Sequence, residues 1–227
     1  MGTRSHEQRR RFGSCVDDEE FAAGHGEGVK FEGWAVTGWA SVALASMVAL
    51  ILLALGYSEA SVRVVARSTA QTSAGLFLAA FTASSLVRYR PAPSTRWLLR
   101  NRRYLGVSFA VSHFVHLAAL ILLGVHFPEP FVSELNLVTI LGGGLAYAFV
   151  ASMALTSSDR AQAWLGMKRW RGLHVVGSYY IWIIFLQSYL SRAWNEPSYI
   201  PVTILFGIAP LLRVTAGRAL RESATHS

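Results

Sequence analysis

Two histidines, His113 and His116, stand in the middle of one apolar run, and a third, His174, stands near the start of another. Ionisable groups are costly inside hydrocarbon, so each of the three marks a candidate site. A neutral imidazole is the commonest metal ligand and a standard axial ligand of haem iron. His113 and His116 are three residues apart, which puts them on one face of a helix. The apolar runs hold no Asp, Glu or Lys, and the single cysteine, Cys15, lies in a polar tail. Closed zinc and di-iron sites draw on such ligands, so haem is the metal cofactor that suits this set. The same absence speaks against a proton-relay carboxylate, an acidic ion-coupled transporter and a retinal Schiff base. The competing reading of a lone intramembrane histidine is a hydrogen bond to a neighbouring helix, with no cofactor.

The elements that must position these residues are membrane helices. Crossing a bilayer takes about 20 mostly apolar residues, because the hydrocarbon layer is about 30 Å thick and a helix rises about 1.5 Å per residue. Six runs qualify: Trp34–Gly56, Ser68–Val87, Tyr104–Val125, Leu135–Thr156, Gly172–Ser191 and Tyr199–Leu212. The expected fold is an all-α, six-helix transmembrane bundle over residues 34–213, flanked by a polar tail over 1–33 and a short tail over 214–227. Only 15% of the 227 residues are charged and 52% are hydrophobic, whereas soluble domains carry roughly a quarter charged residues. The sixth run contains Pro201 and Pro210, so it reads as a kinked span or a re-entrant segment. Gly142, Gly143 and Gly144 read as a close-packing patch. Trp34, Trp97, Trp164, Trp170 and Trp194 read as an interfacial belt. A lone cysteine excludes an internal disulfide.

Charge sets the expected orientation. The net charge is +8. All of the 21 basic residues except Arg63, Arg67 and Arg192 fall in residues 1–33, in residues 213–227, in the segment Arg88 to Arg103, or in the segment Thr156 to Arg171. With six spans these four regions share one side, and the excess of Lys and Arg marks the cytoplasmic side. Both termini are therefore expected in the cytoplasm, with His126, Pro128 and Pro130 outside. The positive charge thus reads as topology, and no nucleic-acid partner is implied. The N-terminal tail does not read as a signal peptide, because a long polar stretch with the acidic run Asp17 to Glu20 precedes a full-length apolar span.

The stretch Arg102-Arg103-Tyr104-Leu105-Gly106, with Leu117 following His116 further along, resembles a segment of the ferric reductase-like transmembrane family. In pattern it is similar to the haem-binding membrane subunits of bacterial methionine sulfoxide reductase systems. Trp170-Arg171-Gly172-Leu173-His174 resembles the family's Trp-x-x-Leu-His, and Ser68-Thr69-Ala70 is a weaker third match. The resemblance covers roughly residues 34 to 213. It implies a haem-b electron conduit in which His116 is the outer ligand and His174 the inner one. Arg102 falls where family members carry His or Arg, and a guanidinium there suits a haem propionate. The family's second histidine on the fifth span falls at Gln187, so the outer site is expected to have one axial histidine, to recruit His113, or to be missing.

Spacing bears on how many sites there are. Arg102 and His116 are separated by about 21 Å of helix, close to four turns, so they share a face. His116 lies much deeper in its span than His174 does, by about 15 Å, which favours separate inner and outer sites over one shared haem. The family's oxidases follow the sixth span with a flavin domain; with about 14 residues after Arg213, none of ordinary size is expected here. The expected function is a haem-b electron-transfer subunit of a bacterial plasma membrane. It would take electrons from a quinol or a separate soluble or membrane-bound reductase, with the lipid bilayer as its other partner. The alternative is a cofactor-poor membrane scaffold or assembly subunit.

Overall fold

The computed structural model describes residues 31–129 and 137–225. Residues 1–30, residues 130–136 (with the expected outer position Pro130 and the expected span start Leu135) and the last two residues lie outside the described residues. Among the described residues the chain forms eight α-helices and one 3-10 turn. These are α1 (Trp34–Leu55), α2 (Glu59–Tyr89), α3 (Pro93–Arg100), α4 (Arg102–His126), α5 (Leu137–Leu155), α6 (Asp159–Leu165) and α7 (Met167–Asn195), followed by the turn Pro197–Tyr199 and α8 (Ile200–Thr225). Five are long and apolar enough to cross a membrane: α1, α2, α4, α7 and the segment Pro197–Ala216. The fourth expected run is α5, which bends by 107° into α6. The helices therefore supply five spans, or six when that bent pair counts as one.

Helix ends differ from the apolar runs, for local chemical reasons. α2 begins at Glu59, well before the expected Ser68. Ser58 caps it: its hydroxyl accepts from the Ser61 N–H at 3.2 Å, and the Ser61 hydroxyl accepts from the Ser58 N–H at 2.9 Å. Glu59 then pairs with Arg63 one turn on, at 2.7 Å. Arg63 and Arg67 thus extend the helix rather than forming a loop. α7 likewise begins at Met167, five residues before the expected Gly172, so His174 sits in the second turn of its helix.

Pro210 does not turn α8 back on itself; the helix continues through it. A proline has no N–H to give the carbonyl four residues earlier, here that of Phe206. Trp182 of α7 replaces the missing donor, with its indole N–H 2.8 Å from the Phe206 oxygen.

α2 packs most extensively against α4. The centre of the bundle is aromatic. The Phe77 ring lies 5.3 Å from Phe81, 5.4 Å from Phe109, 5.5 Å from Phe185 and 6.3 Å from Phe206. Close approach between α5 and α7 occurs at Gly177, where a Cβ would stand 2.9 Å from Met153 Sδ and 3.1 Å from Phe149 Cδ1. The expected glycine patch does less. A Cβ at Gly142 would make an ordinary 3.7 Å contact with Ile184, and Gly143 and Gly144 have nothing within 4 Å. Trp34, Trp164 and Trp194 are exposed near helix ends, as an interfacial belt requires. Trp170 instead donates its indole N–H to the Thr156 carbonyl at 3.0 Å, closing the end of α5.

Candidate functional site

The candidate groups fall at two levels of the bundle. At the first, α4 presents His113 and His116 side by side, with ring centroids 5.6 Å apart. His116 Nδ1 lies 2.9 Å from the carbonyl oxygen of Ala66 on α2. A carbonyl only accepts, so Nδ1 carries the proton and Nε2 keeps its lone pair. Metal-bound imidazoles are held this way, the ring nitrogen away from the metal donating to a carbonyl or carboxylate. A hydroxyl seam supports the arrangement. Thr69 Oγ1 donates to the Val65 carbonyl at 2.8 Å and lies 3.5 Å from His116 Nδ1. The buried Ser73 and Ser112 hydroxyls are 3.0 Å apart, and both reach the Thr69 carbonyl, at 2.8 and 3.2 Å.

His113 sits in an aromatic box. Its ring stacks on Tyr147 of α5 at 4.7 Å and packs against Phe109 at 5.3 Å and Phe185 at 5.6 Å. His113 Nδ1 and the Tyr147 hydroxyl are both buried and have no hydrogen-bond partner among the described residues. Buried polar atoms without partners are rare and costly, so this pair is a place where a polar ligand atom would be accepted.

The second level lies at the arginine-rich end. His174 Nε2 is 3.3 Å from Thr156 Oγ1, and its ring is 4.4 Å from Trp170. Thr156 gives its own hydroxyl proton to the Ser152 carbonyl at 2.7 Å. It therefore accepts from His174 Nε2–H, which commits the nitrogen that a haem ligand would ordinarily use. Arg102, the first residue of α4, donates its Nε–H to the Ala80 carbonyl at 2.9 Å and lies within electrostatic range of His174 and of Arg213.

The expected residues thus separate into His113 with His116, and Arg102 with His174. No hydrogen bond or ring contact joins His116 to His174. Gln187 is exposed, and Phe185 takes the inward position on that part of α7. The first level fits an axial haem ligand through His116 Nε2, whereas the second offers His174 with Nε2 already engaged. No group of three or more His, Cys, Asp or Glu that could hold a bare metal ion occurs among the described residues.

Three participants escaped the sequence reading. Tyr147 and Trp182 looked like ordinary aromatic residues of apolar runs. Arg213 looked like one more charge of a basic tail. In the fold its guanidinium lies 4.3 Å above the Phe81 ring and 5.3 Å from that of Tyr179, with Nη1 buried and lacking an acceptor. An arginine three residues from the end of an apolar window was the available signal.

Comparison of the chain with protein-family models, with curated proteins and with solved structures gives no match.

Proposed function

We propose that this chain is an integral membrane electron-transfer subunit of the ferric reductase-like kind, holding haem b through His116. The observation that carries the reading is the 2.9 Å contact of His116 Nδ1 with the Ala66 carbonyl, which fixes the tautomer and leaves Nε2 as the ligating atom. Bound haem would supply one-electron redox chemistry. The residues around it have separate tasks. Ala66 and Thr69 orient the imidazole. Phe109, Phe185 and Tyr147 exclude water from His113, and His113 Nδ1 and the Tyr147 hydroxyl are available to a polar atom of the ligand. His174 and Arg102 form the second level of the conduit. In this reading both termini face the cytoplasm of a bacterium, electrons come from a quinol or a separate reductase, and an acceptor on the outer side receives them. A reduced-minus-oxidised absorption spectrum of protein purified from haem-replete cells tests it, with a Soret shift and an alpha band expected.

A cofactor-poor scaffold is the second reading. The engagement of His174 Nε2 by Thr156 and the exposure of Gln187 favour it, and the bond from His116 to the Ala66 carbonyl on a neighbouring helix is one that a histidine without a cofactor also makes. H116A and H174A decide between the two: unchanged pigment and activity in both variants is the scaffold outcome.

A further inference from the structure

The haem reading gives Arg102 a place but leaves its neighbour Arg213 without one. Arg102 and Arg213 reach neighbouring residues in the second half of α2, where Arg102 donates to the carbonyl of Ala80 and Arg213 stacks on the ring of the next residue, Phe81. They are close enough to repel one another. Neither forms an ion pair with a carboxylate among the described residues. Asp159 is paired with Arg103 at 2.7 Å, and Glu32 with Arg100 at 2.7 Å. Nη1 of Arg213 is buried with no acceptor, although buried donors are normally paired. Two like charges held together without a counter-ion describe an incomplete site, and the missing part is an anion.

The position says which anion. Arg102 is the first residue of a spanning helix, and Arg213 lies near the end of the apolar window Pro197–Ala216. Both backbones therefore lie toward the arginine-rich ends of their spans, and their guanidinium groups reach inward to Ala80 and Phe81. Leu211 and Val214, which flank Arg213, are exposed apolar residues that an acyl chain would cover. Guanidinium groups match phosphate oxygens in geometry, and basic pockets between membrane helices take lipid headgroups. Tyr179 supplies a second ring against Arg213 and fixes the guanidinium plane.

We infer that Arg102 and Arg213 form a clamp for the phosphodiester of an anionic phospholipid, seated between α2, α4 and α8 at the arginine-rich end. The phosphate lies between the two guanidinium groups, and the acyl chains run along Leu211 and Val214. A zwitterionic lipid brings its own cation and is a poorer occupant. This inference is independent of haem binding at His116.

The test uses the full chain, delipidated in neutral detergent and titrated with phosphatidylglycerol, phosphatidylcholine or inorganic phosphate, with binding followed by native mass spectrometry. Phosphatidylglycerol should bind with clear preference over phosphatidylcholine, and inorganic phosphate should not displace it. R102Q and R213Q should each weaken phosphatidylglycerol binding about fivefold, the equivalent of about 1 kcal/mol per basic residue at the membrane surface. R100Q, which removes a charge at the same end, should leave the preference intact. Should the double variant R102Q/R213Q not fold, the two single variants carry the comparison. Equal binding of the two lipids, an equal loss in R100Q, or displacement by inorganic phosphate overturns the inference. So does a loss of haem absorbance in R102Q and R213Q with lipid preference unchanged, since the pair would then serve a cofactor carboxylate.

Discussion

Removing one indole N–H should destabilise α8 only while Pro210 is present. Trp182→Phe keeps an aromatic ring on α7 and deletes the donor that lies 2.8 Å from the Phe206 carbonyl. Pro210 has already taken away that carbonyl's helical partner, so the variant leaves the oxygen without a donor in an apolar setting. An unsatisfied buried group costs about 1–3 kcal/mol, and hydrogen bonds between membrane helices average about 0.6 with a maximum of about 1.7 kcal/mol. A cost of about 1–1.5 kcal/mol is therefore expected. Pro210→Ala restores a backbone N–H for Phe206, so Trp182→Phe in that background should cost only the lost ring area, well under about 1 kcal/mol. The coupling energy of the cycle should be about 1 kcal/mol. The assay is equilibrium unfolding in mixed micelles by added dodecyl sulfate, followed by far-UV circular dichroism. Equal costs of Trp182→Phe in the two backgrounds would refute the reasoning, because the indole would then contribute by packing alone.

Other outcomes follow from single contacts. Tyr147→Phe keeps the stack on His113 and removes a buried hydroxyl without a partner, so ligand-free protein should gain about 1 kcal/mol in the same unfolding assay. Gly177→Ala should cost about 1–2 kcal/mol, because the Cβ meets Met153 Sδ and the Phe149 ring and both must shift, whereas Gly177→Leu should part α5 from α7 and cost about 3 kcal/mol or more. Ser112→Ala removes the contacts with Ser73 and the Thr69 carbonyl and should cost about 1 kcal/mol; its pigment content, measured in parallel, should fall less than that of H116A.

Sequence patterns revealed the helix interiors and hid their ends. An apolar run reports only the residues that lipid or core requires, while a helix extends as far as its backbone bonds are satisfied. The Ser58–Ser61 cap and the Glu59–Arg63 pair carry α2 through a charged stretch that hydropathy treats as loop. Pro210 marked a local defect correctly, but its remedy lies on Trp182 of another helix. His113 and His116 were legible as a pair because three-residue spacing sets their common face. The partners of that pair, Ala66, Tyr147 and Phe185, come from three other helices, and no local spacing encodes them. Arg213 was hidden for a related reason: its partners are aromatic rings, and a search for charge complements passes over them. Gly177 carries the close contact expected of Gly142 to Gly144, because that contact depends on which face of α5 meets α7.

The central claim is that His116 holds haem through Nε2 while Ala66 fixes its other nitrogen. The direct measurement is haem stoichiometry and the reduced-minus-oxidised spectrum of the parent protein beside H116A and H174A, each purified from haem-replete cells. The account predicts an alpha band and a Soret shift in the parent, near-complete loss of both in H116A, and a smaller effect in H174A, whose Nε2 is engaged by Thr156. A parent protein without these bands, or an H116A variant with full pigment, contradicts it.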